Sequence, residues 1–174
     1  AISSLGDLAA TEKHNNHDYT ELDVSRMQSN INLELRHLNQ HYEISSDGEL
    51  VKVEGQLDLE RNVRQIYDKE FSAAIAEFNK KQEETGHPER RIVSYIDKIS
   101  HDKQQEVAVE GLLQIGSLED WEGKTISDRQ AAGSILIRML EETLAELNRG
   151  DGRFVLAGAS LHLNEGTPHI HYVG

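Results

Sequence analysis

The 174-residue chain has no cysteine, only two prolines and no long apolar run. Without cysteine, a structural zinc site of the thiolate type is excluded, and the chain is compatible with a reducing cytoplasm, its default location. No apolar run approaches the ~20 residues that cross a bilayer and the N-terminus lacks a charged-then-apolar pattern, so neither a transmembrane segment nor a secretory signal is expected in these residues. Scarce proline, with 37% hydrophobic and 28% charged residues, argues against disorder and for one folded domain over 1–174. Positive charge is also short. Eighteen basic residues face 31 acidic ones, a net charge of −13, which disfavours a uniformly phosphate-binding surface. The excess is uneven. Residues 43–150 carry −9 of it, whereas seven of the nine histidines (His14, His17, His37, His41, His162, His169, His171) lie outside that stretch. The middle reads as solvated scaffold, and the two ends as the chemistry.

The densest chemistry is HLNEGTPHIH, residues 162–171. His169 and His171 are two apart, so on a strand they leave the same face. Asn164 to Pro168 reads as a hairpin turn of about five residues, which folds His162 back beside them. Glu165, in the turn, can join the same point or hold one imidazole from behind. Three imidazoles and a carboxylate suit one divalent ion, and manganese, magnesium, zinc, cobalt and nickel all accept such a set. At most four protein ligands leave positions open for a phosphate oxygen or water, as a catalytic site requires.

Coarse periodicity fills in the frame. Residues 1–5 are expected to start a strand, 6–30 to be irregular, and His37–Ile44 to form a strand that Asp47-Gly48 turns toward Glu49–Glu54. Leu59, Val63, Ile66, Tyr67, Phe71, Ile75 and Phe78 recur at helical spacing, predicting a helix from Leu57 to about Glu84, ended by Gly86 and Pro88. A second helix is expected over Glu89–Ser100 and a strand over Glu106–Ile115. A third helix runs from a Ser127 cap to about Asn148, burying Ala132, Leu136, Met139, Leu140, Leu144 and Leu147. Phe154–Leu163 and His169–Val173 are the last strands. Hairpins mixed with helices give an α+β fold, a central antiparallel sheet with helices packed on it. Because the final strand bears the site, an element beyond Gly174 is expected to complete the sheet, making the chain a truncated domain.

The N-terminal region adds KHNN (13–16) and HLN (37–39). His14 can be a nucleophile, a general base or an ordinary loop histidine. Asn15, Asn16 and Asn39 can be turn formers or phosphate-positioning donors, and His37 and Asn39 would share one face of a strand.

KHNN, then NINLELRHLN, then ASLHLNEGTPHIH together resemble the motifs of the MobV (Mob/Pre) plasmid mobilisation relaxases, across essentially the whole chain. That family belongs to the HUH endonucleases, whose two histidines around a hydrophobic residue would here be His169, Ile170 and His171. The resemblance implies nicking and rejoining of one DNA strand at a plasmid transfer origin, with a covalent 5′-phosphoryl-enzyme. It implies His162, His169 and His171 as metal ligands with Glu165 as the motif carboxylate, a catalytic residue and fourth ligand, and Mn²⁺ or Mg²⁺ as cofactor. His14 falls where the family carries a histidine nucleophile. Lys13, Asn15, His17, Arg36, His37 and Asn39 become DNA-binding candidates. Single-stranded or hairpin DNA is the implied partner, with a transfer coupling protein and a dimer through a C-terminal region as further expectations.

Three departures stand out. His17 occupies a position where the family commonly has arginine. Gln40, not tyrosine, follows HLN, leaving Tyr19 and Tyr42 as the alternative nucleophiles. Asn164 replaces one residue of the usual acidic pair. The competing readings are a rolling-circle replication initiator of the same chemistry, a non-catalytic metal-stabilised DNA-binding regulator, and an acidic interaction module with incidental histidines.

Overall fold

In a computed structural model that describes residues 1–18 and 31–174, the frame is a five-stranded antiparallel sheet. Its strands are β1 (Gln40–Ile44), β2 (Leu50–Val53), β3 (Glu110–Gln114), β4 (Gly158–His162) and β5 (His169–Val173), in the order β2-β1-β4-β5-β3. Among the described residues four α-helices pack on it: α1 (Leu5–Asn15), α2 (Leu59–Glu84), α3 (Tyr95–Ser100) and α4 (Ile126–Leu147). The expected α+β class and antiparallel sheet hold. Among the described residues no helix is long and apolar enough to cross a membrane.

Register divides the sheet into two faces. His162 stands opposite His169, and Ser160 opposite His171, so all three histidines share one side with His41, Gly158, Glu110 and Val173. Ile170, between the two histidines, points the other way with Leu161, Ala159, Tyr42 and Leu113. That second face is apolar and packs beneath α4 through Leu136, Leu140, Leu161, Leu163 and Ile170. On the histidine side, α1, α2 and α3 close a separate cluster of Leu8, Leu57, Leu59, Val63, Ile96, Ile99 and Val173. Helices therefore cover both faces, and the site opens beside the end of α1. Leu8, Leu59, Leu136 and Leu140 are fully buried, and each such side chain contributes about 1.5–3 kcal/mol on leaving water.

Capping explains most boundaries, including those that differ from expectation. Residues 1–5 are not a strand: only Ile2 bridges, to Ala108, and Ser4 then caps α1 by accepting from Asp7 N–H. Residues 6–15, expected to be irregular, are helical for the same reason. Residues 33–38 form a 3₁₀ turn started by the Asn32 side chain, so β1 begins at Gln40, and His37 and Asn39 do not share a strand face. Gly48, at φ +84°, makes the β1–β2 turn. The expected 89–100 helix is shorter, a Pro88–Arg90 turn followed by α3 from its Ser94 cap. Thr125, not Ser127, caps α4, in a reciprocal box with Asp128 that satisfies two N-terminal donors at once. The strand expected over Glu106–Ile115 is confined to β3, and that over Phe154–Leu163 to β4. β5 lies inside the sheet, paired on its outer side by β3 from earlier in the chain. Gly111 on β3 lies under the ring of Tyr172, where a Cβ would collide.

Leu136 and Leu147 separate the buried stripe of α4 from its exposed end. Leu136 is 0% exposed and Leu147 40% exposed, although periodicity places both on one stripe. Leu136→Ala is expected to cost about 2–5 kcal/mol in urea unfolding, and Leu147→Ala less than about 1 kcal/mol. Equal losses would mean that α4 buries its whole stripe.

Candidate active site

The three histidines form a nearly equilateral triangle. Ring centroids are 5.1 Å apart for His162–His169, 5.3 Å for His162–His171 and 5.1 Å for His169–His171. Each ring has one nitrogen anchored. His162 Nε2–H donates to Asn15 O at 2.9 Å, His169 Nδ1–H to Thr167 O at 2.8 Å, and His171 Nδ1–H to Glu110 Oε1 at 2.9 Å. The hydrogen positions follow from those acceptors. One lone-pair nitrogen per ring is left for a metal, and the set of ligand atoms lies within 4.8 Å. Anchoring one imidazole nitrogen by a carbonyl or carboxylate is how proteins orient metal-binding histidines. The donor set fits one divalent ion.

Glu165 sits at the inner edge of the triangle, with Oε1 3.2 Å from His162 Nδ1 and 3.9 Å from His169 Nε2. Its other neighbour is His17 Nε2, at 2.9 Å. Burial opposes ionisation of this carboxyl, but the neighbouring His162 and His17 imidazoles outweigh it and hold the pKa well below the usual carboxylate range. Burial lowers the pKa of His162 to about 4, against a partial rise from Glu165. His169 is lowered as well, chiefly by burial. Neutral imidazoles and an ionised carboxylate are the states a metal needs.

The last turn of α1 brings the N-terminal residues to this point. Asp18 N–H bonds to Lys13 O and His17 N–H to His14 O, the two bonds of a Schellman ending. His17 takes the left-handed position at φ +50°, alone among the described non-glycine residues. A side chain there costs about 1–2 kcal/mol relative to the helical region. Asn16 locks the turn against the chain before α2: its Nδ2 donates to Leu57 O at 2.7 Å, and its Oδ1 accepts from Leu57 N–H at 2.8 Å. His14, on the exposed side of the turn, has its ring centroid 5.2 Å from His171 and 6.1 Å from His162. Partial desolvation, then the neighbouring His171, push its pKa down.

The DNA-binding candidates separate into two groups. Lys13, Arg36 and His37 are exposed. Asn15 and His17 are 2% and 1% exposed, and point inward to Glu110 and to Glu165 with His162. Asn39 is half-buried, with its amide engaged by Leu163, Asn164 and His17. The expectation of direct DNA contact is therefore corrected for these three, since their polar atoms face the protein. Among the alternative nucleophiles, Tyr42 is on the opposite sheet face, under α4, with its hydroxyl donating to Gln40. It cannot serve this site. Tyr19 lies outside the described residues.

Two participants escaped the sequence reading. Glu110, on β3, accepts from both His171 and Asn15, and the His171 hydrogen bond is the first cause of its lowered pKa. Arg129 donates from α4 to the carbonyls of Leu163, Glu165 and Gly166, at 3.2, 2.7 and 3.4 Å, and so holds the turn that carries Glu165. The one local signal for Arg129 was a cation in the first turn of a helix, where the dipole favours anions.

A solved structure places this fold among known ones. The chain superposes with a TM-score of 0.54 on a MobM relaxase domain (MOBV; Mob_Pre) bound to 22 nucleotides of plasmid pMV158 oriT DNA, in a manganese-bound crystal structure at pH 5.5. The fold is similar to that of a MobV relaxase domain. Sequence identity is 17%, and the match covers 99% of this chain and 66% of the other, just under two thirds of its length. No protein-family model matches the sequence, and no curated protein matches it significantly.

Two outcomes follow from the geometry. Glu110→Ala frees His171 and is expected to weaken Mn²⁺ binding about 10–100-fold in titration calorimetry; unchanged affinity would show that His171 needs no anchor. Linkage gives the second. Between about 4 and the ordinary 6.5, His162 stays neutral in the fold while the unfolded chain takes up a proton. Stability of the metal-free protein should therefore fall as pH drops through that window, with His14, His41 and His169 acting in the same direction. A urea midpoint that stays constant across it would contradict the buried, neutral site.

Proposed function

We propose that residues 1–174 form the catalytic domain of a relaxase, which nicks one DNA strand at a plasmid transfer origin, stores the 5′-phosphate covalently and rejoins it. The observation that carries the reading is the meeting of three anchored imidazoles, an ionised carboxylate and an exposed fourth imidazole on a fold similar to a relaxase domain that binds oriT DNA and manganese. His162, His169 and His171 would hold a divalent ion, manganese or magnesium, beside Glu165. Such an ion, when bound, polarises a non-bridging oxygen of the scissile phosphate and offsets the charge that develops there.

His14 is the nucleophile in this reading. Its lowered pKa keeps most of the ring neutral near pH 7. A lone-pair nitrogen attacks phosphorus in line, forming a P–N bond as the P–O3′ bond breaks. The attacking ring then sheds one proton and the leaving 3′-oxygen gains one, so protons balance. The phosphoramidate keeps the strand activated, and the 3′-hydroxyl can reverse the step without ATP. Glu165 keeps its acceptor role throughout, since its low pKa prevents it from protonating in the working range. Lys13, Arg36 and His37 are exposed, with Arg36 reaching Asn16 O at the end of α1, and would meet the phosphate backbone of single-stranded or hairpin DNA. A net charge of −13 makes these local cations, and not the global field, the source of DNA affinity.

The test mixes the protein with Mn²⁺ and single-stranded oligonucleotides tiled across its plasmid, and looks for an adduct stable to detergent. An adduct that mild acid destroys is expected, with none from His14→Ala and only background from His169→Ala or His171→Ala. An acid-stable adduct would transfer the nucleophile to a tyrosine. Tight manganese binding without any adduct would leave a metal-stabilised DNA-binding protein instead.

A further inference from the structure

His17 belongs to a second set of residues that could hold a metal ion. Its Nε2, His162 Nδ1 and Glu165 Oε1 also lie within 4.8 Å of one another. The hydrogen bonds around it decide whether that nitrogen can bind a metal. Leu163 N–H is only a donor, so Asn39 Oδ1, 2.9 Å away, is its acceptor. That fixes the amide, and the two hydrogens of Asn39 Nδ2 then meet Asn164 Oδ1 at 2.9 Å and His17 Nδ1 at 3.2 Å. His17 Nδ1 must carry a lone pair. The proton of the neutral ring is therefore on Nε2, which faces Glu165 Oε1 at 2.9 Å. Moving that proton to Nδ1, as a metal ligand would need, sets two donors against each other at Asn39.

We infer that His17 is a positioning residue, not a ligand: its Nε2–H holds the Glu165 carboxylate at the histidine cluster, and Asn39 sets the tautomer that lets it do so. The same N–H also lies 3.2 Å from the lone pair of His162 Nδ1, so one proton bridges the carboxylate and the imidazole until a metal takes the nitrogen. Burial to 1% exposure and a left-handed backbone, where glycine is the usual choice, mark a position held for its side chain. The chain Leu163–Asn39–His17–Glu165 starts and ends on the same hairpin. It thereby ties the turn bearing Glu165 to the end of α1.

The role of the clamp rests on reading the cluster as a metal site, but the clamp itself is testable without metal. Long-range ¹H–¹⁵N NMR of the metal-free chain should report His17 with its proton on Nε2. Asn39→Asp, which offers only acceptors, should move that proton to Nδ1. In Mn²⁺ titrations, His17→Ala should lose about 10–100-fold in affinity, as loss of an outer partner does. His17→Gln, whose amide nitrogen reaches the Nε2 position, should recover most of it. A wild-type proton on Nδ1 overturns the inference, as does a His17→Ala variant that binds manganese like wild type. The expected tautomer in a protein that binds no manganese would support the clamp and overturn the metal reading instead.

Discussion

The site depends on how the last turn of α1 is fixed. The paired amide bonds of Asn16 tie it to Leu57 before α2, the bonds of Asn15 with His162 and Glu110 tie it to the sheet, and the Schellman ending at His17 closes it. The left-handed residue reverses the chain within one turn, so His14 and His17 leave it in opposite senses. One stays exposed beside His171, and the other is buried against Glu165. A helix continuing straight would have carried His17 away from Glu165. The local cost, about 1–2 kcal/mol, is offset by buried hydrogen bonds that only this conformation allows.

Charge is handled locally. The chain carries a large negative excess, yet at the cluster the two carboxylates are committed: Glu110 to His171 and Asn15, Glu165 to His17. Desolvation keeps the imidazoles neutral, and the carboxylates keep them oriented. The result is a pocket of oriented lone pairs that is ready for a cation before one arrives. Little reorganisation is then needed on cation binding, which favours affinity.

The sheet separates chemistry from stability. Alternation sends Ile170 into the apolar layer under α4, while the histidines on either side of it face the site. Arg129 links the two sides, reaching from α4 to the carbonyls of the turn. Substitutions under α4 should therefore act on the site through the position of that turn, and changes on the histidine face act on it directly.

The sequence alone determined what depends on short spacing. The parity of His169 and His171, the return of His162 across a tight turn, the long helix before Gly86 and the stripe of α4 all follow from periods of 2 or 3.6 residues. The family resemblance, carried by the same motifs, agreed with the fold that emerged. Tertiary structure alone decided the rest. Glu110 reaches His171 from 61 positions away, Asn39 reaches Asn164 from 125, and His17 reaches Glu165 from 148. No local period encodes such pairs. They exist because strand order places β3 beside β5 and because one left-handed residue turns α1 onto the sheet. That geometry also removed Tyr42 from the chemistry and turned Asn15, His17 and Asn39 from presumed DNA contacts into the inner support of the site. The sequence names the side chains that can bind a metal, but which way each imidazole presents its lone pair is set by partners that only the folded chain brings near.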